Sequence, residues 1–278
     1  MTARPCGRAA AADGRRGAAR DLPERDLPDP LPDYTPHEAL RGRRALVVGG
    51  LAGGGPGRTV AAGLAKEGAA VALADTTRLD GLAPGARPVP RKRLADDPVL
   101  AAAGVVSALG AWSLPIHCDP ASESDGRAAV AYTALEFGAV DLLVVCGSAE
   151  DARGSHRAGG LGAAVALAPD AAPAPPMGPG SELEAAVRTV RGARPFLSEG
   201  AAAVVVSGRG APYPVGPRSR AALRSFAGSP GERRVRVNCL ALRSGDTDTA
   251  VAAAVAGLAA EDGPCGEVVG VARVPHSQ

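Results

Sequence analysis

The chain is short of lysine, asparagine and aromatic residues, and each shortage limits the chemistry open to it. No lysine follows residue 92, so a site built from the second half of the chain has no ammonium group of its own. Asn238 is the only asparagine. Aromatic residues make up 3% of the sequence, so the composition offers no stacking signature for a ligand.

Charge, hydropathy and cysteine spacing exclude further classes of protein. The net charge is +2 and the basic residues are scattered among acids, which argues against a nucleic-acid surface. No apolar run approaches the ~20 residues that a membrane span needs. The N-terminus has no apolar segment of signal-peptide type, so we expect a cytoplasmic protein. The five cysteines are far apart and show no metal-binding spacing, so we expect reduced thiols and no metal.

Composition divides the chain into an arm and one larger domain. Residues 1–40 are rich in Arg, Pro, Asp and Ala without apolar periodicity, which predicts a flexible arm. The end of this arm, residues 31–34, is expected to dock on the body or on a neighbouring subunit. Residues 41–278 form the predicted domain, which residues 147–180 interrupt with Gly, Ala and Pro. An irregular insertion of that length is usually a lid, a binding loop or a disordered segment.

Strands and helices alternate from residue 43 onward, which is typical of a doubly wound parallel sheet. The predicted strands are 45–48, 71–74, 114–118, 140–145, 202–206, 235–239 and 268–271. The predicted helices are 58–68, 98–110, 127–137, 182–194 and one that begins near Pro217. Near-continuous apolar strands suit burial on both faces. We therefore predict a single-domain α/β protein with a Rossmann-like, three-layer α/β/α architecture.

A glycine cluster lies where the first strand meets the first helix. Residues 47–58 read Val-Val-Gly-Gly-Leu-Ala-Gly-Gly-Gly-Pro-Gly-Arg. Glycine permits a tight turn and lets main-chain N–H groups approach a phosphate at the positive end of a helix. Pro56 suits a first helical turn, and Asp75 ends the next strand. This pattern predicts a dinucleotide site.

Several further segments make the chain resemble the short-chain dehydrogenase/reductase family. They occur in the family's order and are 58–71, 118–119, 137–144, 236–238 and 258–268. The resemblance covers about residues 41–273, and the arm that ends in Pro-Asp-Tyr is similar to that of members with N-terminal extensions. It implies the family's fold, a nicotinamide cofactor and a site at one edge of the sheet.

The resemblance also implies which residues contact the cofactor. The pyrophosphate would lie against Gly49, Gly50, Gly55 and Gly57, in a loop one residue longer than the family's usual spacing. Asp75 would meet the adenosine ribose and favour NAD over NADP, although Arg78 weakens that preference. Asp119 would contact the adenine, and Cys146 stands in the family's Asn-Asn-Ala-Gly segment. Two alternatives stay open: both acids are ordinary strand-end residues, or the cofactor has been lost.

The residues that the family uses for catalysis are mostly replaced. Ser207 matches the serine that bonds the substrate oxygen, but the family's Tyr and Lys align with Gly216 and Arg220. Tyr213 is the only tyrosine nearby, and the rigid fork of an arginine does not copy an ammonium group. A substitute acid–base pair of Tyr213 and Arg220 is one hypothesis, and a structural tyrosine in a turn is the other.

Two further titratable residues are candidates because the carboxyl ends of the strands form the ligand crevice in such folds. His156 lies in the insertion and can move protons near neutral pH. Asp246 lies in the loop after the sixth strand. Asp151, in the insertion with His156, and Asp248, in the loop with Asp246, are further candidates. The alternative is that His156 is a solvent-exposed loop residue without a catalytic role.

Three functions follow from this mixture of retained and replaced residues. The first is an atypical enzyme that performs acid–base chemistry, such as cyclisation, dehydration or isomerisation, on a small organic molecule. The second is an NAD(P)-dependent oxidoreductase with substitute acid groups. The third is a non-catalytic partner subunit of an active relative. We expect a homo-oligomer, or a hetero-oligomer with a related protein, and no nucleic-acid or membrane partner.

Overall fold

Seven parallel strands form one sheet in the computed structural model, which describes residues 28–52, 55–76, 97–119, 123–147, 190, 192–207, 234–260 and 263–273. The strands are β1 (Arg44–Val48), β2 (Ala70–Asp75), β3 (Ser113–His117), β4 (Val140–Cys146), β5 (Leu197–Val206), β6 (Arg236–Ala241) and β7 (Val268–Gly270). Their order across the sheet is β3-β2-β1-β4-β5-β6-β7, and every neighbouring pair is parallel. The order reverses beside β1, so the predicted doubly wound fold is confirmed.

Four helices connect these strands in the described parts of the chain. They are α1 (Gly57–Lys66), α2 (Pro98–Ala108), α3 (Glu123–Phe137) and α4 (Asp248–Ala259). Asp97 caps α2 by accepting the N–H groups of the second and third helical residues, and Pro98 occupies the first position. Thr247 caps α4 in the same way, through the N–H of Ala250. None of the described helices is long and apolar enough to cross a membrane.

Apolar side chains on the two faces of the sheet build two separate cores. Alternate residues of β1 point to opposite faces, with Ala45 and Val47 in one core and Leu46 and Val48 in the other. Residues of α1, α2 and α4 fill the first core, whereas α3 covers the second. The sheet therefore lies between two helical layers, as predicted. These four of the five residues of β1 are at most 1% exposed, as expected for a central strand buried on both faces.

The end of the N-terminal segment docks on the helices of the first face. Leu31 and Tyr34 are buried in a small cluster with Ala62 of α1, Val105 of α2 and Ala252 of α4. Of the two expected docking places, the structure has the body for this part of the chain. Residues 1–27 lie outside the described residues.

A buried carboxylate at the end of α1 fixes the docked segment. Glu67 is 1% exposed and accepts the Tyr34 hydroxyl at 2.6 Å and the amide of Ala39 at 2.8 Å. The amide of His37 also donates to both of its oxygens. Next to it, Lys66 forms an ion pair with Asp29 and donates to the Leu31 carbonyl. These charged and polar contacts thus attach the segment in addition to the apolar contacts of Leu31.

Two elements begin several residues earlier than their apolar pattern predicts. Strand β5 starts at Leu197 rather than at residue 202, because its first residues pair with β4 through a register shift near Val140. Those residues include exposed Glu199 and Gly200, so no apolar run marks them. Helix α3 starts at residue 123 rather than 127. The predicted insertion and the helix near Pro217 lie outside the described residues, apart from residue 147.

Candidate functional site

The ends of the parallel strands place the predicted site residues along one edge of the sheet, which we call the carboxyl edge. Asp75 ends β2, Cys146 ends β4, and Ser207 directly follows β5. The loop between β1 and α1 lies at the same edge. A parallel arrangement with a reversal of strand order beside β1 creates a crevice here, where ligands of such sheets bind.

Close main-chain packing explains the glycines of the loop formed by residues 49–57. Gly49 and Gly50 have φ values of 78° and 68°, which residues with a Cβ rarely adopt. A Cβ on Gly55 would lie 2.6 Å from the Gly50 oxygen, and one on Gly57 would lie 2.4 Å from the Gly49 oxygen. The Gly57 amide donates to the Gly50 carbonyl at 3.0 Å, which closes the turn. Four predicted positions therefore require glycine on steric grounds.

Helix α1 begins directly from this turn and points its amino end to the carboxyl edge. The first N–H groups of a helix have no intrahelical acceptor. In the described parts of the chain, the amides of Arg58 and Thr59 have no hydrogen-bond partner. Unpaired amides at the positive end of a helix dipole suit an anionic group such as a pyrophosphate.

Asp75 is buried against this loop rather than extended into the crevice. The residue is 7% exposed. One carboxylate oxygen accepts the Leu51 amide at 2.8 Å, and the other accepts the Thr76 amide at 2.7 Å. Burial raises the pKa of Asp75 above its ordinary value, although the hydrogen bonds from the two amides act in the opposite direction. The carboxylate thus holds the glycine loop to the end of β2.

Cys146 supports the loop from below. It is 4% exposed, and its Cβ lies where a Cβ on Gly50 would approach to 2.9 Å. Burial, followed by the charge of Asp75, raises the pKa of Cys146 above its ordinary value, so the thiol stays protonated. Burial and the neighbouring carboxylates likewise raise the pKa of Cys118 to about 12. Both thiols pack as apolar groups and neither is an activated nucleophile.

Ser207 lies between β5 and the chain that follows β6. Its Oγ accepts the amide of Leu242 at 2.8 Å, and the residue is 5% exposed. A serine hydroxyl carries one proton as well as two acceptor lone pairs. No acceptor for that proton occurs among the described residues. Within the described parts of the chain, Ser207 is therefore a buried hydroxyl at the carboxyl edge whose proton has no acceptor.

The other two described candidates make local contacts. Asp119 is exposed, and its amide donates to the Asp125 carboxylate at 3.1 Å. Asp246 accepts the Arg243 amide at 2.7 Å and closes a turn in the loop after β6. Among the described residues, no contact links Asp246 to Ser207. Tyr213, Arg220 and His156, together with Asp151, lie outside the described residues.

Similarity to known proteins is found in folded shape and not in sequence. No family model and no curated protein matches the chain. A short chain dehydrogenase from Mycobacterium smegmatis is 22% identical with a TM-score of 0.55, covering 86% of this chain and 96% of that one. A short chain dehydrogenase from Burkholderia cenocepacia in complex with NADP is 22% identical, with a TM-score of 0.53 and coverages of 84% and 97%. A blue fluorescent protein from a metagenomic library in complex with NADPH is 19% identical, with a TM-score of 0.55, and the match covers 84% of this chain and 97% of that one.

The chain has the short-chain dehydrogenase/reductase fold. The resemblance of residues 41–273 predicted this fold, and the prediction is confirmed. Within this fold the glycine loop and Ser207 occupy the carboxyl edge, as the resemblance implied. Among the described residues no group of three or more metal-ligating side chains comes together.

Cys146 and Cys239 lie on strands that are not neighbours, because β5 lies between β4 and β6. Cys239 pairs with Val205 in the middle of β6 and packs on the opposite face of the sheet from Cys146. Both thiols are buried and pack as apolar groups.

Two residues of the site were not predicted. Leu51 is 1% exposed and supplies the amide that Asp75 accepts, and Leu242 supplies the amide that Ser207 accepts. Every residue except proline has a main-chain N–H, so the sequence does not show which residues donate from the main chain. The only hint for Leu51 was a large apolar residue in a loop otherwise made of Gly, Ala and Pro.

Proposed function

We propose that the protein binds a nicotinamide dinucleotide at the carboxyl edge and acts there on a small organic molecule by acid–base chemistry without net hydride transfer. The observation that carries the proposal is the packing of the loop itself: Gly55 and Gly57 have no room for a Cβ, and among the described residues the amides of Arg58 and Thr59 have no hydrogen-bond partner. These groups fit a pyrophosphate, and the glycine loop with the amino end of α1 would hold it.

Ser207 supports a reaction at this edge. A buried hydroxyl whose proton has no acceptor among the described residues can donate to the oxygen of a substrate. Leu242 fixes the position of Oγ, so the donor is already placed before a substrate arrives. A fixed donor stabilises negative charge that develops on the substrate oxygen.

The choice of non-redox chemistry rests on the sequence. A bound nicotinamide supplies hydride exchange, which also requires a proton donor or acceptor on the substrate oxygen. The family's Tyr and Lys align with Gly216 and Arg220, and no lysine follows residue 92. Cyclisation, dehydration and isomerisation need a proton donor and acceptor but no net hydride transfer.

An NAD(P)-dependent oxidoreductase is the second candidate. The close packing of Gly55 and Gly57 in the described part of the loop is compatible with it. Two of the solved structures of similar fold are complexes with NADPH and NADP. In this alternative Tyr213 and Arg220 would provide the proton transfer and the positive charge.

Titration of the purified protein with NADH and NADPH, followed by nucleotide fluorescence and thermal shift, tests the proposal. We expect micromolar binding that Gly57→Ala abolishes, because the new Cβ would meet the Gly49 oxygen. Gly270→Ala is the matched control, since a Cβ there meets nothing within 4 Å, and it should leave binding unchanged.

Three results would change the interpretation. Failure of both nucleotides to bind would refute the cofactor. Reduction of a carbonyl substrate that Tyr213→Phe abolishes would establish the second candidate instead. Tight binding with no turnover of any substrate would indicate a non-catalytic subunit.

A further inference from the structure

Both oxygens of the Asp75 carboxylate already have main-chain partners. Oδ2 accepts the Leu51 amide at 2.8 Å and Oδ1 accepts the Thr76 amide at 2.7 Å. The residue is 7% exposed, so little of it faces the crevice. Its own carbonyl accepts the Cys118 amide at 3.1 Å. Asp75 thus connects the end of β2 to the glycine loop on one side and to the end of β3 on the other.

The glycine loop depends on such an attachment. Gly49 and Gly50 have positive φ values, and glycine loses more conformational freedom on folding than any other residue. Strand β1 ends at Val48, and in the described residues one further bond, from the Gly49 amide to the Ala74 carbonyl, continues the ladder with β2 into the loop. Beyond it, the Leu51 amide has Asp75 as its partner, and the Leu51 side chain is buried in the core below. The Asp75 carboxylate and the Leu51 side chain thus join the loop to the sheet.

We infer that Asp75 is a positioning residue that holds the glycine loop in the shape that receives a pyrophosphate, and that it does not select between NADH and NADPH. This inference rests on the proposed dinucleotide site. It differs from the ribose contact that the resemblance implies, because the carboxylate is directed at the Leu51 and Thr76 amides. A loop anchor affects both nucleotides equally, since the pyrophosphate is common to them.

Asp75→Ala separates the two roles. An alanine side chain has no acceptor, so the buried Leu51 amide and the part-buried Thr76 amide both lose their partner. Asp141→Ala is the matched control: Asp141 is also 7% exposed and also accepts a main-chain amide, that of Arg44 at 3.0 Å. It is the second residue of β4 and lies at the opposite edge of the sheet from the loop.

Two measurements on the full-length protein decide the question. The first is the hydrogen-exchange protection of the Leu51 amide, which we expect Asp75→Ala to lower by about tenfold or more relative to core amides. The second is the affinity for NADH and for NADPH, and we expect both affinities to fall by the same factor. Asp141→Ala should lower global stability without a specific change at Leu51 or in either affinity.

Two outcomes overturn the inference. A gain in NADPH affinity relative to NADH in Asp75→Ala would show that the carboxylate selects the cofactor. Unchanged protection at Leu51 would show that the loop does not need the anchor. If the wild-type protein binds neither nucleotide, the proposed function fails, and the exchange of Leu51 alone then supports or refutes the anchoring role.

Discussion

At the scale of single residues, the one asparagine of the chain has a structural role. Asn238 is fully buried in β6; its Nδ2 donates to the Pro264 carbonyl at 2.6 Å and its Oδ1 accepts the Glu267 amide at 3.2 Å. Each buried group left without a partner costs about 1–3 kcal/mol. We expect Asn238→Leu to lower the free energy of unfolding by about 2–5 kcal/mol in urea denaturation.

A second variant for this prediction is Asn238→Asp. It keeps the acceptor for the Glu267 amide but loses the donor to Pro264 and buries a carboxylate against that carbonyl, so its stability at neutral pH should be no higher than that of Asn238→Leu. An effect of Asn238→Leu below about 0.5 kcal/mol, the range of ordinary surface substitutions, would contradict the structural role.

Asp141 makes stability depend on pH in a defined direction. Burial alone would raise its pKa, but hydrogen bonds from Arg44 and Ser198 outweigh it and lower the pKa below the ordinary value of 3.8. A lowered pKa in the folded state contributes stability that is present above pH 3.8 and is lost as the pH falls through the folded value. The stability difference between wild type and Asp141→Asn should therefore be full at pH 7 and shrink below pH 3.8. A difference that stays constant with pH would contradict this.

At the scale of residues, the sequence predicts where the site residues lie better than it predicts which groups they hydrogen-bond. The strand before Asp75 and the glycines after β1 located the carboxyl edge, because strand ends and turns leave patterns in residue type. The hydrogen bonds from Leu51 to Asp75 and from Leu242 to Ser207 left no such pattern, since every residue except proline has the same main-chain N–H. The direction of the Asp75 carboxylate could be obtained only from the path of the loop.

At the scale of elements, close contact between α1 and α4 requires one glycine. A Cβ on Gly63 would lie 2.6 Å from the Cβ of Ala252. Gly63→Ala gains up to about 1 kcal/mol of helix propensity. Overpacking costs about 1–3 kcal/mol, so we expect a net loss of stability.

A double-mutant cycle with Ala252→Gly isolates this contact. Removing the second Cβ makes room for the first, so Gly63→Ala should be less harmful in the Ala252→Gly background, by about 1 kcal/mol or more. Additive effects of the two substitutions in thermal or urea denaturation would show that the helices have room to move apart.

The centres of elements were predictable and some of their ends were not. Strands β1, β2 and β4 were predicted to within a residue or two because they are continuous apolar runs. The first residues of β5 were missed because Ser198 and Glu199 are polar and pair at the rim of the sheet. Ser198 contributes there by donating to Asp141 at 2.7 Å, a contact 57 positions apart in sequence that no local pattern reveals.

At the scale of the whole molecule, the segment from residue 28 to 40 connects to all three helices of one face. The sequence predicted that residues 31–34 would dock on the body or on a neighbouring subunit, and the structure places them on the body. The sequence did not show which helices receive Leu31 and Tyr34, because their partners in α1, α2 and α4 are far away in sequence. The fold could be predicted from a repeating pattern, whereas the partners of this single attachment could not.

The docked segment should unfold together with the sheet as one cooperative unit. Trp112, the only tryptophan, packs on Phe137 with ring centroids 4.8 Å apart, on the α3 side of the sheet. Leu31 is 1% exposed and packs on the other side. Leu31→Ala should cost about 2–5 kcal/mol, as buried leucines do, and should shift the midpoint of the Trp112 fluorescence transition in urea.

Leu135→Ala is the matched control for this last prediction, because it makes the same substitution at a residue that is 78% exposed and lies on the helix nearest Trp112. It should change stability by less than about 0.5 kcal/mol. If Leu31→Ala instead left the Trp112 midpoint unchanged and added a separate early transition in circular dichroism, the segment would be an independent attachment. If the midpoints of Trp112 fluorescence and of circular dichroism shift together, then Leu31, which lies outside the alternating α/β pattern, stabilises the sheet from the face opposite Trp112.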